Sequence, residues 1–277
     1  MSQLPSIAFI GGGNMANALV SGFLNQQCPA TSIYVIEVAE ALRTNWLARG
    51  ISASGSPDQR LKQYKVWIFA VKPQQMKEVV LQCKPWLSPD TLVISIAAGI
   101  SIASLSSWLG SKQTPFHNIV RCMPNTPALV GAGVTGLAAP AALSTEDRHI
   151  ATKLLSAVGQ AVWVKDDDAI DAVTALSGSG PAYVFLFLEA LIKGGEELGL
   201  TSNQAKELAL ATLSGATKLA MESLDSPSTL REKVTSKGGT TAAALSVFKD
   251  SEFVDIVASA MKAADQRAGE LSKEFGV

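Results

Sequence analysis

The sequence predicts an α/β protein: an N-terminal doubly wound, mostly parallel sheet of the Rossmann type, then an all-α C-terminal domain through which the chain dimerises. Three observations predict it. A glycine turn joins an apolar strand to a helix at residues 7–16. Short apolar runs then alternate with helical patterns as far as residue 165, the spacing of a parallel sheet with crossover helices. Beyond Asp168 no run resembles a buried strand, and nearly everything has helical periodicity.

Ile7, Ala8, Phe9 and Ile10 run into Gly11, Gly12 and Gly13, and a helical pattern (Met15, Leu19, Val20, Phe23) follows at once. Gly11 permits the turn, Gly13 lets the backbone approach a pyrophosphate, and Ala16 lets the helix lie close on the strand. Free N–H groups and the positive dipole end at the helix start, near Asn14 and Met15, then receive phosphates. A plain strand-to-helix turn that needs glycine fits the triplet as well. Residues 32–37 read as a second strand ending in Glu37, where the adenosine ribose hydroxyls lie in such folds. A carboxylate there accepts hydrogen bonds from NADH and repels the extra phosphate of NADPH. Arg43 stands close in sequence, and a solvated strand-end charge is the competing reading of Glu37.

A helix over 40–49 and a weak strand near Ile51 follow. Residues 66–71 are continuously apolar, as for a strand covered on both faces. The run ends at Lys72 and Pro73, and the proline opens a helix carrying Met76, Val79 and Val80. Residues 91–96 repeat the pattern and end in Ala97, Ala98 and Gly99; residues 118–123 repeat it again and end in Pro124, Asn125, Thr126 and Pro127. Ligands in such sheets bind beyond the carboxyl ends of the strands, so Lys72, Gly99 and Asn125 become cofactor-side candidates. Two more strands, 133–139 and 160–164, flank a helix over 145–158. The boundary falls between 165 and 166, giving a dinucleotide-binding domain, 1–165, and a helical substrate and dimerisation domain, 166–277. Asp166, Asp167, Asp168 and Asp171 read as a solvated linker and a helix N-terminal turn rather than a metal cluster.

In the second half, Ser177, Gly178, Ser179, Gly180 and Pro181 cap and open a helix that is apolar on every side over 183–192, Glu189 apart. Roughly 110 residues of helical domain hardly enclose such a helix, so a second copy of the chain is its natural cover. Helices near 204–224 and 252–274 follow. A stripe of Phe253, Val257, Met261, Ala264, Ala268 and Leu271 fits either that interface or an intrachain core. Between those helices Gly238 and Gly239 precede Thr240 and Thr241 at a helix start, which suits a small carboxylate or simply an N-cap threonine.

Composition narrows the function classes. With 23 basic against 24 acidic residues and no long single-sign run, nothing draws the chain to nucleic acid or anionic lipid. Cys28, Cys83 and Cys122 are odd in number and widely spaced, which indicates a reducing compartment and no disulfide framework. The apolar run 182–192 is too short to span a bilayer, and a cytoplasmic, membrane-free protein is the expectation.

The motifs Phe9-Ile10-Gly11-Gly12-Gly13-Asn14-Met15-Ala16, Ala70-Val71-Lys72-Pro73-Gln74, Met123-Pro124-Asn125-Thr126-Pro127, Ser177-Gly178-Ser179-Gly180-Pro181-Ala182-Tyr183 and the run 227–249 occur in this order. In them the chain resembles the pyrroline-5-carboxylate reductase family over essentially its whole length. The resemblance implies reduction of the cyclic imine L-1-pyrroline-5-carboxylate to L-proline, the last step of proline synthesis, by NADPH or NADH. It also implies homodimers with interlocked helical domains, often assembled into decamers. On the family's pattern Gly11, Gly12, Gly13, Asn14 and Met15 bind pyrophosphate, and Ile10 belongs to the cofactor-binding residues. Ala70, Val71, Lys72, Pro73, Ala97, Ala98 and Gly99 line ribose and nicotinamide. Gly239, Thr240 and Thr241 hold the substrate carboxylate, with the Thr241 hydroxyl near the ring nitrogen as the catalytic group. The chain departs from the pattern at Lys237, where many members carry proline, and at Glu37, where NADPH-preferring members want a small or basic residue.

That reaction accounts for a shortage of acid–base residues. The two histidines, His117 and His149, fall at a strand start and in a polar helix. Ketone reduction needs a proton donor because charge builds on oxygen. A protonated imine already carries its proton, so the protein mainly holds two reactants in register and excludes water. Two rivals stand beside this reading. A β-hydroxyacid dehydrogenase wants a catalytic lysine at the start of the long helix after the sheet, and Lys193 falls far inside it. A non-catalytic NAD(P)-binding protein binds nucleotide without turnover.

Overall fold

The computed structural model describes residues 4–111 and 113–276. The first half runs β1 (Ile7–Ile10), α1 (Asn14–Asn25), β2 (Ile33–Ile36), α2 (Glu40–Ala48), β3 (Ser52–Ser54), β4 (Val66–Phe69), α3 (Pro73–Cys83), β5 (Leu92–Ser95), α4 (Ile102–Leu109) and β6 (Ile119–Met123). Then come β7 (Gly133–Ala138), α5 (Thr145–Leu155), β8 (Gly159–Trp163), α6 (Ala169–Val173), α7 (Gly180–Glu197), α8 (Ser202–Glu222), α9 (Pro227–Lys233), α10 (Thr240–Asp250) and α11 (Phe253–Phe275). The strands form one sheet in the order β3-β2-β1-β4-β5-β6-β7-β8. That order is the doubly wound arrangement, with the strand order switching direction between the parallel neighbours β1 and β4.

The parallel strands are as apolar as their position requires. Every residue of β1, β2, β4 and β5 is buried, because helices cover both faces. Ile7, Phe9, Val35 and Ile68 point into one core, Ala8, Ile10, Tyr34 and Trp67 into the other. One pairing departs from the parallel rule: β7 runs antiparallel to β6. The link between them is a short 3-10 turn, Thr126–Val130, closed by Gly131 at φ 71°. A connection that short returns the chain beside the strand it left, whereas a parallel neighbour needs a helix-length crossover. The longer link through α5 then sets β8 parallel to β7.

By contact the chain falls into two compact units, residues 1–179 with 263–277, and residues 180–262. This differs from a single cut at 165. Residues 166–179 stay with the sheet because Ile170 is fully buried there and Asp167 and Asp171 bind an arginine of β6. The acidic run is therefore not merely a solvated linker. The last turns of α11 also belong to the sheet unit, where Phe275 joins the core beside α4. The helical unit is described by itself. Its α7 has no buried residue, and Val184, Phe185 and Leu186 are exposed in succession. Together with α6 and the π-helical turn Thr174–Gly178, α7 gives a helical stretch, Ala169–Glu197, long and apolar enough by length and composition to cross a membrane. The helix around the apolar run 182–192 is thus longer than the run itself, and length does not keep it from spanning a bilayer.

Candidate active site

The glycine loop is built as its sequence demands. Gly11 takes φ 101°, and a Cβ there would lie 2.6 Å from the Ala70 carbonyl oxygen. Only glycine fits where β1 and β4 converge on the turn. Gly13 is the N-cap of α1, with no side-chain capping bond and nothing within 4 Å of a Cβ. The space beside Gly13 at the start of α1 is thus open, as an anion site requires. Gly12 has a different task. Its N–H donates to Glu37 Oε2 at 2.9 Å, and its carbonyl accepts from Trp46 Nε1 at 3.2 Å. A side chain there would run into the indole.

Glu37 follows β2, with its other oxygen accepting from the Ala39 N–H at 2.8 Å. Arg43 turns its guanidinium to the carbonyl oxygens of Glu37 and Val38, at 2.9 and 2.6 Å, and not to the carboxylate. The Glu37 charge is thereby fixed at the edge of a cleft of about 400 Å³, which Ile10, Gly11, Gly13, Glu37, Ala70, Val71 and Lys72 line together with Val38, Gly55, Ser56 and Pro57. The wall beside Gly55 is stiffened by Tyr34, whose hydroxyl meets Ser54 Oγ at 2.6 Å and donates to Asp58. Burial pushes the Tyr34 phenol up to about 12, and the Arg60 hydrogen bond holds the Asp58 carboxyl below its usual range. A glycine turn where a Cβ would clash, open space at a helix N-terminus and a carboxylate on the cleft lining fit a dinucleotide.

The other candidates divide. Asn14 is exposed and Met15 half-buried on the first turn of α1, and Gly12 lies packed under the loop; none of them lines that cleft. Pro73 opens α3 just behind it. Ala97, Ala98 and Gly99 form the turn after β5 and also lie outside the lining. Gly99 takes φ 70°, and Leu271 of α11 packs against it. In the helical unit, Gly239 is the N-cap of α10 with no side-chain cap, and Thr240 and Thr241 form the first turn. Both histidines are exposed. His117 precedes β6 and so lies at the amino edge of the sheet, opposite the carboxyl rim where the cleft opens. Lys193 is a solvated helix residue 3.8 Å from Glu197. The thiols are inert: burial pushes Cys83 up to about 12 and raises Cys122 as well.

Asn125, a cofactor-side candidate, lies outside the cleft lining and has a structural task, and Arg121 was not singled out at all. Asn125 joins two of the motifs, accepting from the Val134 N–H at 2.9 Å and donating to the Ser177 carbonyl at 3.1 Å. The π-helical turn is thereby bonded to the loop after β6. Arg121, 2% exposed within β6, binds Asp167 and Asp171 at 2.9 and 2.8 Å. The signal was present, since a lone arginine in a buried strand must find carboxylates.

Comparison with known proteins agrees with this architecture. The family model described as pyrroline-5-carboxylate reductase dimerisation matches residues 167–271, and that described as NADP oxidoreductase, coenzyme F420-dependent, matches residues 6–99. The chain is 44% identical over 273 residues to pyrroline-5-carboxylate reductase of Pseudomonas aeruginosa, covering 98% of each. Among solved structures it resembles a pyrroline-5-carboxylate reductase from Coxiella burnetii (TM-score 0.89, 38% identity, covering 98% of this chain and 99% of that one). A Plasmodium falciparum pyrroline carboxylate reductase with NADP bound gives a TM-score of 0.86 at 28% identity, with 98% and 100% covered. By likeness along its whole length, this chain belongs to the pyrroline-5-carboxylate reductase family.

Proposed function

We propose that the protein reduces L-1-pyrroline-5-carboxylate to L-proline with NADPH or NADH. The observation that carries this is full-length identity above 40% with enzymes of that name; the glycine-lined cleft agrees with it. Bound nucleotide supplies the hydride. The chain supplies position: the α1 N-terminus takes the pyrophosphate, and the turns after β4 and β5 wall the ribose and nicotinamide. The uncapped start of α10 takes the substrate carboxylate on its first-turn N–H groups. The Thr241 hydroxyl orients the ring nitrogen by a hydrogen bond and need not be a strong acid, because the cationic imine carries its own proton. Thr241→Ala is expected to lower kcat/KM about 10- to 100-fold, mostly in kcat. Full kcat/KM in that variant would remove Thr241 from the mechanism.

The test is a steady-state assay with both nucleotides and with five- and six-membered cyclic imines. A β-hydroxyacid dehydrogenase would act on neither imine, and a non-catalytic binder would leave the nicotinamide absorbance unchanged. The Glu37 carboxylate, held by two backbone N–H groups, favours NADH by repelling a 2′-phosphate. Glu37→Ser should raise the NADPH-to-NADH ratio of kcat/KM about tenfold. It should also weaken both nucleotides somewhat, since the Gly12 N–H loses its acceptor. An unchanged ratio would take Glu37 out of cofactor choice.

The bare apolar faces of α7 and an apolar hollow of about 710 Å³ around Phe187, Phe248 and Phe253 support a homodimer through the helical units. In this reading the second copy, not lipid, covers α7; the dimers associate further into decamers, and the protein is cytoplasmic.

A further inference from the structure

We propose that Asp167, held in place by Arg121, is a positioning residue that sets the 97–99 turn against the nicotinamide half of the nucleotide. The inference rests on the assignment of that turn as the nicotinamide wall.

The turn leaves the sheet at Ser95, whose register partner on β6 is Arg121, and ends at Ile102, the first residue of α4. Asp167 meets the second end directly and the first through Arg121. Its Oδ1 accepts from Arg121 Nη1 at 2.9 Å, and its Oδ2 accepts from the Ile102 N–H at 2.9 Å. Arg121 Nη2 is held by Asp171 at 2.8 Å, and Nη1 also reaches the Asp167 carbonyl oxygen at 3.2 Å. Asp167 alone thus holds Nη1 at two points, and Asp171 holds only the other nitrogen. Ser101 already caps α4 through the Ser104 N–H, so the bond from Asp167 is not needed to start the helix. What it adds is a fixed distance between β6 and the far end of the turn.

Stability alone is a weak account of the cluster. A buried cation with two carboxylates is often no more stable than apolar residues of the same volume, and Arg121 Nε is left buried with no partner. A rigid strut behind a turn that must meet a ring within a fraction of an ångström is a use that repays it.

Asp167→Ala and Asp171→Ala separate the two roles. Each takes one counterion from the same guanidinium, but only the first frees the Ile102 N–H. Both variants are titrated calorimetrically with ADP-ribose, which lacks the nicotinamide ring, and with NADH and NADPH. Single-turnover hydride transfer is followed with protium and deuterium at the transferred position. ADP-ribose affinity should stay within about twofold in both variants, while Asp167→Ala loses about fivefold or more of the extra affinity of the whole nucleotide and about tenfold or more in hydride-transfer rate. Asp171→Ala should change either by less than about threefold. Asp167→Asn keeps an acceptor oxygen for only one of its two donors, Arg121 or the Ile102 N–H, and should recover only part of the loss. Equal losses in the two alanine variants, a parallel fall in ADP-ribose affinity, or no loss in Asp167→Ala would each overturn the proposal. Absence of turnover in the unaltered protein would sink the assigned reaction instead, and the affinity ratio would still decide the role of Asp167.

Discussion

Gly13→Val is expected to abolish nucleotide binding while leaving the protein nearly as stable as before. Gly13 has φ −76°, an ordinary backbone for any residue, and nothing lies within 4 Å of an added Cβ. The substitution therefore meets no protein atom and costs at most about 1 kcal/mol as a poorer N-cap. Its isopropyl group instead projects where the pyrophosphate approaches the first turn of α1. Losing two charge-assisted hydrogen bonds there, at about 1.5–3 kcal/mol each, corresponds to a loss of at least about 100-fold in affinity. Gly11→Val is the contrast: the left-handed φ and the 2.6 Å approach to the Ala70 oxygen put its cost into folding. Calorimetric titration and thermal melts of both variants separate the effects. Nucleotide affinity within threefold in Gly13→Val, or equal falls in Tm for the two variants, would show that the loop does not cradle phosphate.

Leu186→Asp is expected to dissociate the protein into single chains of 29.0 kDa and to lower its Tm by about 10 °C or more. Leu186 is 67% exposed within one chain. In a protein that worked as a monomer, a charge at so open a position would change stability by only about 0.5 kcal/mol. Val184, Phe185 and Leu186 advance 100° per residue and so bare two sides of α7 at once. A second copy that encloses both sides would bury the new carboxylate unpaired, at a cost of several kcal/mol. Sedimentation equilibrium at micromolar concentration reads the mass directly. A variant that keeps its mass and Tm, or an unaltered protein that is already monomeric, would remove the helical unit as the dimer interface.

The strands that could be read from the sequence were those buried on both faces, because burial forces an unbroken apolar run. Strands 66–71 and 91–96 were placed within about two residues at each end. The weak β3 was placed near Ile51 from its neighbours alone. What escaped was set by long-range pairing. The reversal of β7 depends on a turn only a few residues long, whose outcome is tertiary. The helix over residues 102–109 went unassigned, and so did the short one over 227–233. The glycine loop was legible because backbone geometry restricts each of its positions, although the packing task of Gly12 under Trp46 depends on a residue in another helix. The acidic run 166–171 showed its charge in the sequence, but its partner Arg121 lies more than forty residues earlier. No local pattern joins the two.

The last helix has a bearing on how the polypeptide is made. Its first residues belong with the helical unit, yet Ala263 and those that follow belong with the sheet, where Leu271 seats on Gly99 and the half-buried Phe275 packs against the core beside α4. The sheet unit therefore stays unfinished until α11 has emerged from the ribosome. Until then it carries an uncovered apolar seam, the kind of surface that chaperones hold during synthesis.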